Sequence, residues 1–188
     1  MFAKRVMDVL LALFAAVFLA VPMVIVALLV KLTSRGPVLY WSDRVGRDNR
    51  IFRMPKFRSM CIGTPAVATH LLVDPGVFLT PIGSALRKTS LDELPQLWSI
   101  LVGDMSVVGP RPALFNQVEL IELRTRKGVH RLRPGLTGWA QVNGRDELSI
   151  PDKAALDEYY FRNASLALDL RVLRMTAWRV MRRDGVSH

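Results

Sequence analysis

The sequence predicts a helix-dominated α+β chain, in which an apolar N-terminal helical segment joins a small basic domain with a short β-hairpin and amphipathic surface helices. Three observations carry that prediction. Val9 to Val30 is an uncharged apolar run. Two short β-type runs, Val38 to Trp41 and Ile51 to Met54, flank the turn-rich Gly46-Arg47-Asp48-Asn49. From Leu94 onward, apolar residues recur at helical spacing.

Composition bounds the rest. A chain of 188 residues suffices for one domain with a core. With 26 Lys and Arg against 16 Asp and Glu the formal charge is +10, so the expected partner is anionic: nucleic acid, phospholipid or a phosphorylated substrate. Half the residues are hydrophobic and mean hydropathy is +0.24. Cys61 stands alone, so no intrachain disulfide forms, and no Cys/His cluster has zinc-site spacing.

The 22 residues of Val9 to Val30 reach about 33 Å as a helix, enough for a hydrocarbon core of about 30 Å. A membrane-spanning helix is the simplest reading. Lys4 and Arg5 precede the run, however, and Lys31 and Arg35 follow it, so positive-inside logic wants both ends on one side. Pro22 also favours a kink within the run. A re-entrant helix over residues 1–35, broken at Pro22, satisfies both observations, and a kinked span remains open.

Residues 36–188 form the expected globular unit. After the hairpin, Lys56-Phe57-Arg58-Ser59-Met60 continues the second strand with alternating cations, either a solvated face or the lining of a phosphate site that uses Lys56 and Arg58. Cys61 to Phe78 reads as a loop, and His70 within it has no triad partner nearby. Thr80 to Arg87 leads through a short helical turn into Arg87-Lys88-Thr89-Ser90-Leu91-Asp92-Glu93-Leu94-Pro95, which sets two acids behind two bases.

Ser90 and Glu93 fit a capping box. Pro95 would then fall inside the helix, so a start near Leu94 is the alternative, leaving Asp92 and Glu93 just ahead of it. Leu94, Leu97, Trp98 and Leu101 form a core stripe. Ser106 to Val108 is a short strand, and Pro110 and Pro112 stiffen the backbone about Arg111, as suits bidentate recognition of phosphate. Ala113 to Lys127 and Pro151 to Arg162 read as helices. Between them, Arg133 to Arg145 is a glycine-rich loop that is neither a P-loop nor a dinucleotide fingerprint. In the last helix, Leu166 to Met181, Leu166, Leu170, Leu173 and Val180 fall on one side and Arg171, Arg174 and Arg182 on another. With Trp178 this is a composition for a membrane interface, or for packing on the domain itself.

If the loops converge, Asp92 and Glu93 lie among Lys56, Arg58, Arg87, Lys88, Arg111 and Arg145. Beside so many cations the acids should stay ionised, which suits a nucleophile or a metal ligand. Mg²⁺ held by Asp92, Glu93 and substrate oxygens would neutralise a diphosphate. A non-catalytic module for anionic lipid or partner proteins explains the charge, but gives no reason for paired acids in a basic site. Nucleic-acid binding lacks any recognised motif.

Four stretches in order carry a specific resemblance: Lys56 to Met60, Ser90 to Leu97, Gly103 to Pro112, and Arg133 to Arg145. Through them, essentially the whole chain resembles the monotopic phosphoglycosyl transferases, bacterial polyprenyl-phosphate sugar-1-phosphate transferases, in their minimal catalytic form. The resemblance implies a re-entrant N-terminal helix and an active site on the cytoplasmic face of the inner membrane. It implies that Asp92 attacks the sugar-proximal phosphate of a UDP-sugar, expelling UMP, and that undecaprenyl phosphate then takes the phosphosugar. Glu93 would place Mg²⁺ or orient the nucleophile, and Arg87, Arg111 and Arg145 match arginines expected near the phosphates. The family helix often breaks at a Ser-Pro pair, where this chain has Val21-Pro22.

Overall fold

The computed structural model describes residues 2–65, 67, 74–144 and 148–182. His70 and Arg145 therefore lie outside the described residues.

The N-terminal run folds as two helices, α1 (Phe2–Phe18) and α2 (Ala20–Thr33), bent by 62°. They reach about 26 and 21 Å, and no single described helix is long and apolar enough to cross a membrane. The break falls at Leu19, not at Pro22 where the sequence placed it. A proline ring collides with the carbonyl four residues back, here that of Phe18. Breaking at Leu19 leaves Pro22 in the first turn of α2, where its missing N–H removes no bond.

Each outer end of this pair is fastened to the globular part. On α1, Asp8 accepts from Ser106 Oγ at 2.9 Å and Val107 N at 3.0 Å. Lys4 donates to Asp169 at 2.8 Å, and Arg5 to the Ile100 and Leu101 carbonyls at 2.7 and 2.9 Å. Lys4 and Arg5, read from sequence as flanking charges, are thus spent on tertiary bonds. Ala12 is fully buried beneath them, with Ala15 and Ala16 packed alongside. The small row lets α1 approach closely, while Phe14, Val17 and Phe18 stay exposed on its other side. At the far end of α2, Arg58 donates to the carbonyls of Ser34 and Arg35 and to Ser34 Oγ. Val26 and Val30 pack there with Phe57 and Leu86.

The hairpin pairs β1 (Leu39–Val45) with β2 (Ile51–Phe57) in antiparallel register, Leu39 opposite Phe57 and Val45 opposite Ile51. Its turn puts Asp48 and Asn49 in the left-handed region, at φ 56° and 59°, which Asp and Asn tolerate best after glycine. Each strand runs about three residues longer than its apolar run suggested. Pro55 sits within β2, as a two-stranded edge permits.

A second pairing escaped the sequence reading. β3 (Ser106–Val108) lies parallel to β4 (Gly135–Thr137), Ser106 opposite Gly135 and Val108 opposite Thr137. The glycines permit it: a Cβ on Gly135 would stand 2.1 Å from Gly109 N, and one on Gly138 2.1 Å from Gly109 O. Between these strands runs α5 (Val118–Arg126), shorter than the expected Ala113 to Lys127.

α3 (Gly83–Lys88), α4 (Gln96–Val102), α6 (Ile150–Asn163) and α7 (Leu166–Arg182) complete the chain. Two sequence expectations need correction. Trp98 is 59% exposed rather than core; α4 buries Leu97, Ser99 and Ile100 instead. α7 turns Leu168, Asp169 and Val172 inward, while Leu166 and Leu170 are exposed. It therefore packs on the domain and still presents Leu170, Arg171, Arg174 and Trp178 outward. Tyr160 on α6 bonds Asp169 at 2.5 Å and the Val108 carbonyl at 3.2 Å, joining α6, α7 and β3 through one buried hydroxyl.

Asp8 is 2% exposed, so Asp8→Ala strands the Val107 N–H without its acceptor and leaves the Ser106 hydroxyl only the Val108 carbonyl. The expected cost is about 2–3 kcal/mol, read as a lower denaturation midpoint in detergent. Asp8→Glu is expected to recover only part of it.

Candidate active site

The backbone puts the two acids on different footings. Ser90 sits in the left-handed region, φ 57° and ψ 17°, with no side-chain cap bond. The capping box therefore does not form, because an N-cap needs extended backbone. A 3₁₀ turn over Leu91–Glu93 follows, and α4 starts at Gln96 with Pro95 just ahead, close to the alternative start near Leu94. A non-glycine residue costs about 1 kcal/mol in that conformation, and Ser90 holds it between two short helical turns.

Glu93 is clamped. Its Oε1 lies 2.8 Å from Lys56 Nζ on β2 and 2.8 Å from Arg111 Nη2 in the loop after β3. Burial alone would push its pKa up, but the Arg111 and Lys56 charges and hydrogen bonds hold it well below the usual carboxylate range. Lys56 is pulled down by burial, against the pull of Glu93.

Asp92 differs in kind. It is 7% exposed, and among the described residues nothing hydrogen-bonds its carboxylate. Burial raises its pKa; Lys56 opposes that, Glu93 adds to it, and Arg87 and Arg111 oppose it. Glu93 is thus held toward its ionised form by the cations, whereas at Asp92 desolvation outweighs them and raises the pKa.

The loop that carries Arg111 is pinned from several sides. Arg124 on α5 donates 2.8 Å to the Arg111 carbonyl and 2.6 Å to buried Asp157 on α6. Gly135 N donates to the Pro110 carbonyl at 2.8 Å. Arg44 on β1 donates to the Pro112 carbonyl at 3.2 Å, and burial, with Arg111 adding to it, lowers its pKa to about 10. Sequence reading missed Arg44. The hairpin register was the available signal, since residues 40, 42 and 44 share a face with 52, 54 and 56.

The structure brings Asp92, Glu93, Lys56, Arg87 and Arg111 together. Arg87 also rests on Met60 Sδ at 3.3 Å. Arg58 does not join them: its guanidinium closes the C-terminal end of α2. Arg133 donates to the Gly103 carbonyl at 2.8 Å and so closes the end of α4.

Glu93, Arg111 and Ser90 line one part of a cleft of about 840 Å³. Ala15 and Leu19 at the helix break, Leu97 on α4 and Leu173 on α7 line it as well. A basic, acid-bearing region thus shares one cavity with an apolar wall.

Comparison with known proteins agrees with this architecture. The sequence profile described as bacterial sugar transferase matches residues 1–183. Over 180 residues the chain is 39% identical to the UDP-N-acetylgalactosamine-undecaprenyl-phosphate N-acetylgalactosaminephosphotransferase of Aeromonas hydrophila, covering 93% of this chain and 43% of that protein. It is 35% identical to the undecaprenyl-phosphate galactose phosphotransferase of Salmonella typhimurium, over 97% of this chain and 41% of that one. An uncharacterized sugar transferase of Bacillus subtilis, EpsL, is 38% identical over 100% of this chain and 91% of its own length. The chain thus spans less than half of the first two relatives and nearly all of the third. It belongs to the bacterial sugar transferase family.

Proposed function

We propose that the chain transfers a sugar 1-phosphate from a UDP-sugar to undecaprenyl phosphate, as a membrane-bound first step in building a bacterial glycoconjugate such as an exopolysaccharide. The observation that carries this reading is Asp92: a nearly buried carboxylate with no hydrogen-bond partner among the described residues, ringed by cations, and next to Glu93, which lines the cleft with the apolar wall.

The proposed steps are these. An Asp92 carboxylate oxygen attacks the sugar-proximal phosphorus, and the bond from that phosphorus to the bridging oxygen breaks. UMP departs with the bridging oxygen and its electrons, leaving a phosphosugar on Asp92. An oxygen of undecaprenyl phosphate then attacks the same phosphorus, and the Asp92 carboxylate leaves. Partial desolvation keeps the carboxylate basic and lightly solvated, which favours attack. Arg87, Arg111 and Lys56 stand where charge develops on the phosphoryl oxygens. Glu93, engaged by Lys56 and Arg111, orients these cations.

Mg²⁺ fits this set in a limited way. Among the described residues no three Asp, Glu, His or Cys side chains gather to hold a metal, and Glu93 Oε1 already serves two cations. Asp92 would be the protein ligand, with water and donor phosphates completing the shell, as Mg²⁺ accepts. When bound, the ion would neutralise the diphosphate and hold its oxygens.

The bent helix pair supports re-entrant insertion, with the site at the cytoplasmic face of the inner membrane. Both outer ends of the pair are bound to one globular body, and the apolar residues about the bend are exposed. Cysteines placed beside Phe2 and Thr33 are expected to label from the same side of sealed vesicles; labelling from opposite sides would restore a span.

Asp92→Asn is expected to abolish UMP release and to erase a phosphosugar adduct found by mass spectrometry on the acid-quenched protein. Full turnover by this variant would overturn the covalent route. EDTA should stop turnover and Mg²⁺ restore it. The acid limb of the rate is expected above the ordinary aspartate range of about 3.9, because burial raises the Asp92 pKa.

The two acids should also differ in stability. The folded protein binds the Asp92 proton more tightly than the unfolded chain. Stability therefore falls as pH rises from the ordinary aspartate value through the folded one, and Asp92→Asn stabilises at pH 7. Glu93 has a depressed folded pKa, so its contribution is present above the ordinary glutamate value and lost as pH falls through the folded one. Glu93→Gln should destabilise at pH 7 by about 3 kcal/mol, and thermal melts of both variants across pH check the opposed signs.

A further inference from the structure

α7 contributes to the cleft a group that neither the reaction steps nor the fold uses. Arg179 is half-buried and lines the cavity together with Leu173 and Thr176 from the same helix. Among the described residues its guanidinium has no hydrogen-bond or ion-pair partner. Leaving a partly desolvated cation unpaired costs free energy unless an anion comes to it. Lys88, also lining the cleft, is likewise without a partner among the described residues. Thr176 is committed elsewhere, sharing a 2.7 Å hydrogen bond with Thr137, so it holds the wall of α7 in place.

The remaining wall is apolar and continuous with the helix break. Ala15 and Leu19 line the cleft, while Val17, Phe18 and Val21 beside them are exposed. The cavity therefore combines an apolar wall, open to whatever covers the bend, with two cations, Arg179 and Lys88, that have no partner among the described residues and stand apart from the Glu93 clamp. A ligand that fits both is amphiphilic, with a phosphate head and a long hydrocarbon tail.

We infer that Arg179, assisted by Lys88, binds the phosphate of the polyprenyl acceptor, and that the tail leaves the cleft past Ala15 and Leu19. This rests on the transfer reaction proposed above, and it makes α7 the acceptor-recognition element. Arg111 and Arg87, beside Asp92, are left to the donor.

Direct binding tests it without requiring turnover. The full chain in phosphatidylcholine nanodiscs is titrated with undecaprenyl phosphate and, separately, with undecaprenol. Arg179→Gln is expected to weaken undecaprenyl phosphate about tenfold and to leave undecaprenol unchanged, with Arg179→Lys recovering most of the loss. Leu19→Trp, which fills the apolar wall, should weaken both. In turnover, Arg179→Gln should raise the acceptor KM and spare the donor KM. Equal affinities of wild type and Arg179→Gln would overturn the assignment. So would displacement by phosphatidylglycerol at the same mole fraction, since the site would then read a bilayer headgroup. If binding behaves as stated but no UDP-sugar releases UMP, the transfer reaction falls and the lipid-phosphate site stands.

Discussion

The Glu93 carboxylate, gripped by Lys56 and Arg111, is the interaction on which the site depends. It ties together three elements far apart in sequence: the second hairpin strand, the turn before α4 and the loop after β3. An isolated pair of this kind adds little to stability. Its value here is geometric. With Glu93 fixed, the preceding residue has little freedom, and Asp92 is held beside the clamp without sharing, among the described residues, its neighbour's ion pairs. Two adjacent acids thereby acquire opposite electrostatics, one pushed down by cations and the other pushed up by burial.

That division needs Arg111 to arrive from a rigid base. Pro110 and Pro112 restrict its backbone, and the Arg124–Asp157 pair grips the Arg111 carbonyl from beneath. The parallel β3–β4 pairing fixes the strand end ahead of it, through glycines that no other residue could replace at that separation. Arg44 closes the same loop from the hairpin. Much of the basic character that sequence suggests for phosphate binding is thus structural: Arg58, Arg124 and Arg133 end on carbonyls or buried acids.

Local pattern revealed the hairpin, the two C-terminal helices and the acid pair, because each has a period or turn residues that speak for themselves. It failed where tertiary contact decides. Ser90 and Glu93 spell a capping box, yet Glu93 gains more from two half-buried cations than from a backbone N–H, and Ser90 turns left-handed to allow it. β4 is a three-residue strand that begins with glycine and exists only because β3 is beside it. Pro22 announces a break but acts on the turn before it, which moves the hinge to Leu19. Asp8 and Asp169 look like surface acids in helical segments, and their buried roles require partners roughly 100 and 165 residues away.

Those two acids bear on how the helix pair meets the domain. A buried aspartate needs protein donors, so Asp8 marks where α1 faces the domain. Beyond it the inward row becomes alanine, and the outer face becomes Phe14, Val17 and Phe18. The 62° bend at Leu19 then redirects the chain, and Arg58 receives the far end of α2. Because β2 carries Lys56 two residues before Arg58, the strand that anchors α2 also grips Glu93. A shift of the helix pair against the domain would pass along this strand to the acid pair. The seating of the helix pair on the domain and the placement of Asp92 are therefore linked through one short piece of backbone.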